Sequence, residues 1–278
     1  MQGVWVASNS TPLERPPGFT TLVIDEAQVA KLVATLEARA EDRSKPTEPT
    51  EYFDPFSIEP IRGKLRSSLI VDPPNGLIPG NELYKEQFAQ GLASILNAVD
   101  GPEARPPPER CLGSQTTQPP IMSIRAGVNL HQIVQTAESF LFTSEFVNTA
   151  RIIRLNARPL PAVVTTWLGD SIGHWEGDTL VVETRGFTPS DHFRMGMSGS
   201  FLVSPRTVVT ERFSRVAEDR IDYTFTVEDP TYYTQPWTGE SHFLRRDEPV
   251  LEYACHEANY SLTHILQGAR EQERRAQQ

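Results

Sequence analysis

The stretch Ile221-Asp222-Tyr223-Thr224-Phe225-Thr226-Val227-Glu228 alternates strictly between apolar and polar side chains. A period of two puts Ile221, Tyr223, Phe225 and Val227 on one face and Asp222, Thr224, Thr226 and Glu228 on the other, which is the pattern of a β-strand with one buried side. Just upstream, residues 215–221 (RVAEDRI) turn the chain back on a run at 206–215, so a hairpin is expected there. Residues 174–182 (HWEGDTLVV) form a second one, with Glu176-Gly177-Asp178 as the tight turn between two β-prone runs. Further short β-branched or aromatic runs lie at 131–136, 138–147, 150–155, 171–175, 179–184, 240–246 and 250–255, with no helical pattern between them. Strands at that spacing predict an antiparallel barrel or sandwich. Gly3-Val4-Trp5 is also strand-like and is expected to return as the first strand.

Outside this region the pattern changes. Residues 25–43 read as an amphipathic helix, with Asp25 as N-cap and Val29, Leu32, Val33 and Leu36 at helical spacing. Residues 81–98 form a second helix, in which Gly91 is a weak point, and 261–275 a third that grows basic toward its end. Residues 44–80 are rich in Pro and polar residues, with one short strand at 68–71 and a turn at 72–76; 101–120 read as a Pro-rich connector. Residues 40–120 lack the periodic apolar content for a core of their own. The expectation is therefore one domain over 1–278: a helical and Pro-rich wrap (25–120), a β-barrel (121–260) and a C-terminal helix (261–278).

Composition bounds the function. The chain has 278 residues, 38% of them hydrophobic, enough for a sizeable core. It holds no run of 18 apolar residues, so no membrane-spanning helix is expected. A net charge of −10 argues against nucleic acid and anionic membrane surfaces as partners. The opening MQGVWVASNS has neither the basic stretch nor the apolar core of a signal peptide. The chain is thus expected to be cytoplasmic or, if a leader has been removed, periplasmic or secreted. Cys111 and Cys255 stand 144 residues apart, outside any CxxC pair, and fit either one long-range disulfide or two buried thiols.

Several stretches resemble a family of bacterial proteins of uncharacterised function: residues 3–19 (GVW…STPLERPPGF), 67–79 (SSLIVDPPNGLIP), 109–112 (ERCL), 131–136 (HQIVQT), 150–159 (ARIIRLNARP), 211–216 (ERFSRV), 228–260 (EDPTYYTQPWT…YACHEANY) and, most specifically, 167–184 (WLGDSIGHWEGDTLVVET). The resemblance covers most of the chain and implies a lipocalin-like β-barrel. It departs at His131, where the family more often has a Tyr or Asn-rich run, at Asn148, where it often has His, and at His174, where Arg is common.

There is no GxGxxG, P-loop, GxSxG elbow or HExxH, and the six histidines are scattered, so neither an organic cofactor nor a metal is expected. What remains is a set of polar residues in apolar strands and at their ends. Glu145 lies within the apolar strand run 140–147, where a carboxylate is costly unless paired or neutral; it reads either as an ion pair with Arg151 or as a general base. His131 reads as a strand-end residue or a proton shuttle, and Asp170 as a turn cap or a base. Asp191-His192 stands beside 195–200, a stretch of Met, Gly and Ser with the composition of a lid. Trp167, Phe193, Tyr232, Tyr233 and Trp237 gather near the same loops and read as core or as an aromatic-lined mouth.

An eight-stranded barrel leaves room for one small ligand. The leading expectation is a cofactor-independent lyase or isomerase doing acid–base chemistry on a small hydrophobic, aromatic molecule. Glu145 or Asp170 would be the base, His131 or His192 the acid, Tyr233 the donor to an oxyanion and Arg151 the partner of a substrate carboxylate. The alternatives are a non-catalytic carrier or sensor of small apolar molecules and a structural envelope protein. A homodimer is compatible with the sequence.

Overall fold

The structure is a computed structural model that describes residues 1–7, 9–43, 56–114, 116–122, 129–190, 192–194, 198–257 and 259–278. The alternating stretch forms β11 (Arg220–Glu228), paired antiparallel with β10 (Val208–Ala217) so that Phe213 faces Tyr223 and Val209 faces Val227. β10 pairs on its other side with β7 (Thr179–Arg185), which makes the expected hairpin with β6 (Asp170–Glu176). β3 (Leu130–Gln135), β4 (Ser139–Ser144) and β5 (Thr149–Leu155) follow one another as antiparallel neighbours. β12 (Trp237–Arg246) pairs with β11. β1 (Gly3–Val6) then joins β3 to β12 and closes a nine-strand barrel.

The chain is thus mainly β, a barrel with flanking helices, as the alternation implied. It differs from the expected eight antiparallel strands in two ways. β1 does return as a barrel strand and raises the count, and β5 and β6 run parallel, Ile153 beside Ser171. A parallel neighbour cannot be reached by a tight turn, and residues 156–169 carry the chain from the end of one strand to the start of the next. The run at 250–255 is not a strand. Its Leu251 amide is already taken by the Glu145 carboxylate (2.9 Å), and Cys255 is tied to Cys111 by a disulfide.

α1 (Glu26–Arg43) and α2 (Glu82–Asn97) lie where the spacing predicts, and α3 (Tyr260–Ala276) ends the chain. Among the described residues no helix is long and apolar enough to cross a membrane. α1 docks Val29, Leu32, Val33 and Leu36 on a satellite cluster with Phe19, Ile24 and Ile58. β2 (Ile70–Asp72) pairs with β12 at Thr238 and Gly239, beyond the three residues that β1 covers.

Inward-facing side chains fill the barrel. The Phe142 ring from β4 meets Phe213 from the opposite wall at 6.5 Å and Phe243 at 5.8 Å, and Phe213 meets Tyr223 at 4.9 Å. Each such ring, fully withdrawn from water, contributes on the order of 1.5–3 kcal/mol. At this level rings occupy the hollow expected for a ligand.

The Pro-rich stretch read as a connector does more than connect. Residues 116–122 are buried against the inward-facing side of the barrel. The Ile121 N–H donates to the Tyr223 hydroxyl (2.8 Å), Ser144 donates to Thr116 (2.7 Å), and the hydroxyls of Thr117 and Thr149 are 2.6 Å apart. A buried backbone must place every N–H. Pro119 and Pro120 have none, so this sequence can enter the barrel without a strand partner.

Candidate functional site

Arg151 points into the barrel from β5 and is already fully engaged. Its Nε donates to Ser171 (2.8 Å), its Nη2 to Thr184 (2.8 Å), and its two terminal nitrogens to both oxygens of Glu211. Tyr223 donates to the same carboxylate (2.7 Å). The two ionic side chains are 1% and 0% exposed. Burial, and then the Glu211 charge, hold the Tyr223 phenol well above its usual value, so it stays protonated. A cation satisfied in this way is not available to a substrate carboxylate. The expected Arg151–Glu145 pair is likewise replaced by Arg151–Glu211. Sequence reading missed Glu211, although it shares a strand face with Val209 and Phe213, and that period-two position was the signal.

The other proposed acid–base residues do not meet. His131 faces the barrel core from β3, 1% exposed, with its ring 4.9 Å from Phe142 and 5.8 Å from Phe243. Burial pushes its pKa down to about 3 against a smaller opposite pull from the Thr143 backbone. That contact does not reach hydrogen-bond geometry, and neither ring nitrogen has a hydrogen-bond partner among the described residues. The imidazole is therefore neutral at physiological pH and packed as an aromatic ring, not placed as a proton shuttle. Glu145 lies just past the end of β4, in a tight turn continued by Val147 at φ 64°, and its carboxylate holds the loop after β12 through Leu251. Asp170 faces outward, next to inward-facing Ser171. It accepts from Arg154 (2.7 and 3.0 Å) and from the Leu160 amide (2.8 Å), pinning the β5–β6 crossover. Trp167 is half-buried; its carbonyl accepts from Gln118, and Arg110 lies over its ring at 5.5 Å.

The aromatic residues do converge. α2 begins at Asn81, whose side chain accepts the Tyr84 amide (2.9 Å) as an N-cap. Its next turns place Tyr84, Phe88 and Gly91 along one face. Phe88 meets Phe193 at 5.2 Å; Tyr84 meets Phe88 at 5.4 Å and Tyr233 at 5.5 Å; Tyr233 meets Trp237 at 5.9 Å. Phe193 belongs to a small hairpin, β8 (Phe193–Arg194) and β9 (Phe201–Leu202), that leans on α2. Gly91, the weak point in the helix, has its reason here. A Cβ at that position would stand 2.4 Å from the Phe193 ring. Tyr233 donates to the Leu202 carbonyl, so its hydroxyl is committed to the fold and not to an oxyanion. Asp229 fixes the loops behind, accepting from the Ser204 amide (2.9 Å), the Thr207 hydroxyl (2.6 Å) and the Thr231 amide (2.8 Å).

Beside this column, between α2 and residues 189, 192 and 203–205, lies an open cleft of about 490 Å3. It is lined by Gln87, Gln90 and Gly91 from α2, by Pro189 and His192, by Val203, Ser204 and Pro205, and by Tyr232. Tyr232 donates to Gln87 Oε1 (2.7 Å), and burial followed by the Asp229 charge raises its phenol pKa. His192 is exposed, and its carbonyl accepts from Val203 (2.8 Å). Asp191 and residues 195–197 of the expected lid lie outside the described residues. Of the ten residues singled out in the sequence, His192, Phe193, Tyr232, Tyr233 and Trp237 thus gather at this cleft and in the aromatic column beside it, while Glu145, His131, Asp170, Arg151 and Trp167 are elsewhere. Compared with known proteins, the chain matches no family model, no curated protein and no solved structure.

Proposed function

We propose that the protein binds a small molecule in the cleft between α2 and residues 189, 192 and 203–205, not in the lumen of the barrel. The observation that carries this reading is the cleft itself: about 490 Å3, lined by two glutamines, a tyrosine and a histidine beside Pro189, Pro205 and Gly91. That volume lies in the range of small-ligand sites, and an apolar surface with a few convergent polar groups is their usual lining. The supporting frame is rigid, because the rings beside the cleft are packed and Asp229 holds the loop by three hydrogen bonds. Such a site suits a carrier or sensor. The Cys111–Cys255 disulfide favours placing it in an oxidising, extracytoplasmic compartment.

The acid–base reading, a lyase or isomerase, now centres on His192. Its imidazole shares the cleft with the Gln87 side chain, whose NH2 group remains as a donor because Tyr232 already donates to Gln87 Oε1, so a base and a hydrogen-bond donor line the same space.

Native mass spectrometry of the purified protein beside a Gln90→Trp variant tests the site, because an indole at this exposed helix position fills the cleft without touching the core. A small molecule carried by the parent and missing from the variant is the expected result. An equal load on both, or a parent that takes up nothing from a fragment library, overturns the binding reading. Loss of turnover in His192→Gln with binding intact would favour the catalytic version.

A further inference from the structure

We infer that the ligand of this cleft is uncharged and presents a planar amide edge, a carboxamide or lactam on a ring; this rests on the cleft being a binding site. α2 places Gln87 and Gln90 three residues apart, neighbours on the helix surface. Each amide has one end committed. Tyr232 donates to Gln87 Oε1 (2.7 Å), which leaves the Gln87 NH2 group as donor. Gln90 Nε2 donates to Glu86 Oε1 (3.2 Å). A carboxylate only accepts, so the orientation of the Gln90 amide is fixed and its carbonyl oxygen remains as acceptor. The helix therefore offers a donor and an acceptor side by side, the complement of a group that carries an acceptor and a donor in one plane.

The described lining contains no Lys, Arg, Asp or Glu. An ionised ligand would give up hydration there without an opposite charge to replace it. The exposed Pro205 provides apolar contact for a ring face.

The test is saturation-transfer NMR on the full chain at pH 8 with three probes of similar size: benzamide, benzoate and anisole. Benzamide is expected to bind. Benzoate, planar but charged, is expected to bind at least tenfold more weakly. Gln87→Leu and Gln90→Leu should each weaken benzamide about tenfold, the effect of one lost neutral hydrogen bond. Benzoate binding as tightly as benzamide, or benzamide unaffected by both substitutions, would overturn the amide inference. Anisole binding that matches benzamide and is lost in Gln90→Trp would overturn it too, while leaving the cleft a site. If none of the three probes binds, both readings fail.

Discussion

Charge and titration decide most at the scale of single residues. Arg151 and Glu211 are buried together, and such a pair is costly to break though not costly to replace. Arg151→Met leaves a carboxylate uncompensated in the barrel and should lower unfolding stability by about 3–5 kcal/mol, read from denaturant midpoints, whereas Arg151→Met with Glu211→Leu should recover much of that loss. A double variant no better than the single one would show that the pair does not act as a unit. The second residue-scale expectation concerns pH. His131 is held down to about 3 and His242 to about 4, the latter by burial first and then by Arg220, against Glu59 and Asp222. Both folded values lie below the ordinary histidine value, so the unfolded chain takes up protons first as pH falls. Stability is therefore full above about pH 6.5 and declines toward pH 4, by about 1.4 kcal/mol per pH unit for each histidine. His131→Phe, which keeps the ring in the aromatic core, should remove one proton's worth of that slope; an unchanged slope would place His131 in contact with water. The sequence disclosed that these side chains were unusual but not what they touched. His131 and Arg151 were visible as polar residues in apolar strands, whereas their environments depend on which strands become neighbours.

Elements show where local pattern suffices. The alternation in β11 and the hairpins 174–182 and 215–221 were readable because period and turn chemistry are local properties. The face of α1 was readable for the same reason. Three features were not: the parallel β5–β6 pair, the burial of 116–122 inside the barrel, and the absence of a strand at 250–255. Each is fixed by a distant partner: Ser171 for Ile153, Tyr223 for Ile121, Glu145 and Cys111 for the last loop. The inserted segment should matter energetically, since Ile121 is 2% exposed and belongs to the main core. Ile121→Ala should lower stability by about 2–5 kcal/mol; an effect below 1 kcal/mol would mean that the segment rests on the barrel without filling it. On α2 two terms compete at Gly91. Alanine gains up to about 1 kcal/mol of helix propensity, but its methyl must displace Phe193, and overpacking of that kind costs about 1–3 kcal/mol. Gly91→Ala is thus expected to be neutral to destabilising in a thermal melt and to weaken cleft binding, because the displaced ring belongs to the α2 contact; a clear gain in melting temperature would show that Phe193 yields freely.

At the scale of the whole molecule, the barrel is closed through residues far apart in sequence. β1 sits between β3 and β12, and the Cys111–Cys255 disulfide joins the approach to the inserted segment with the loop after the last barrel strand. Spacing alone left two thiols or one bridge open, because 144 residues of separation say nothing about proximity until the fold brings the ends together. A link across so long a loop removes much of the freedom of the unfolded chain, and that contribution grows only logarithmically with length. The same two segments are also joined by the Asn259 side chain, which donates to the Glu109 carbonyl at 2.9 Å, and the Leu251 amide is held by Glu145. The bridge therefore reinforces an existing contact. Cys111→Ser/Cys255→Ser should fold to the same barrel, with an unchanged far-ultraviolet spectrum, yet unfold about 2–5 kcal/mol sooner in denaturant. Ligand binding in the cleft should persist in that variant, since neither cysteine is among its lining residues. Loss of binding together with an unaltered melting curve would reverse this assignment and make the disulfide part of the functional site.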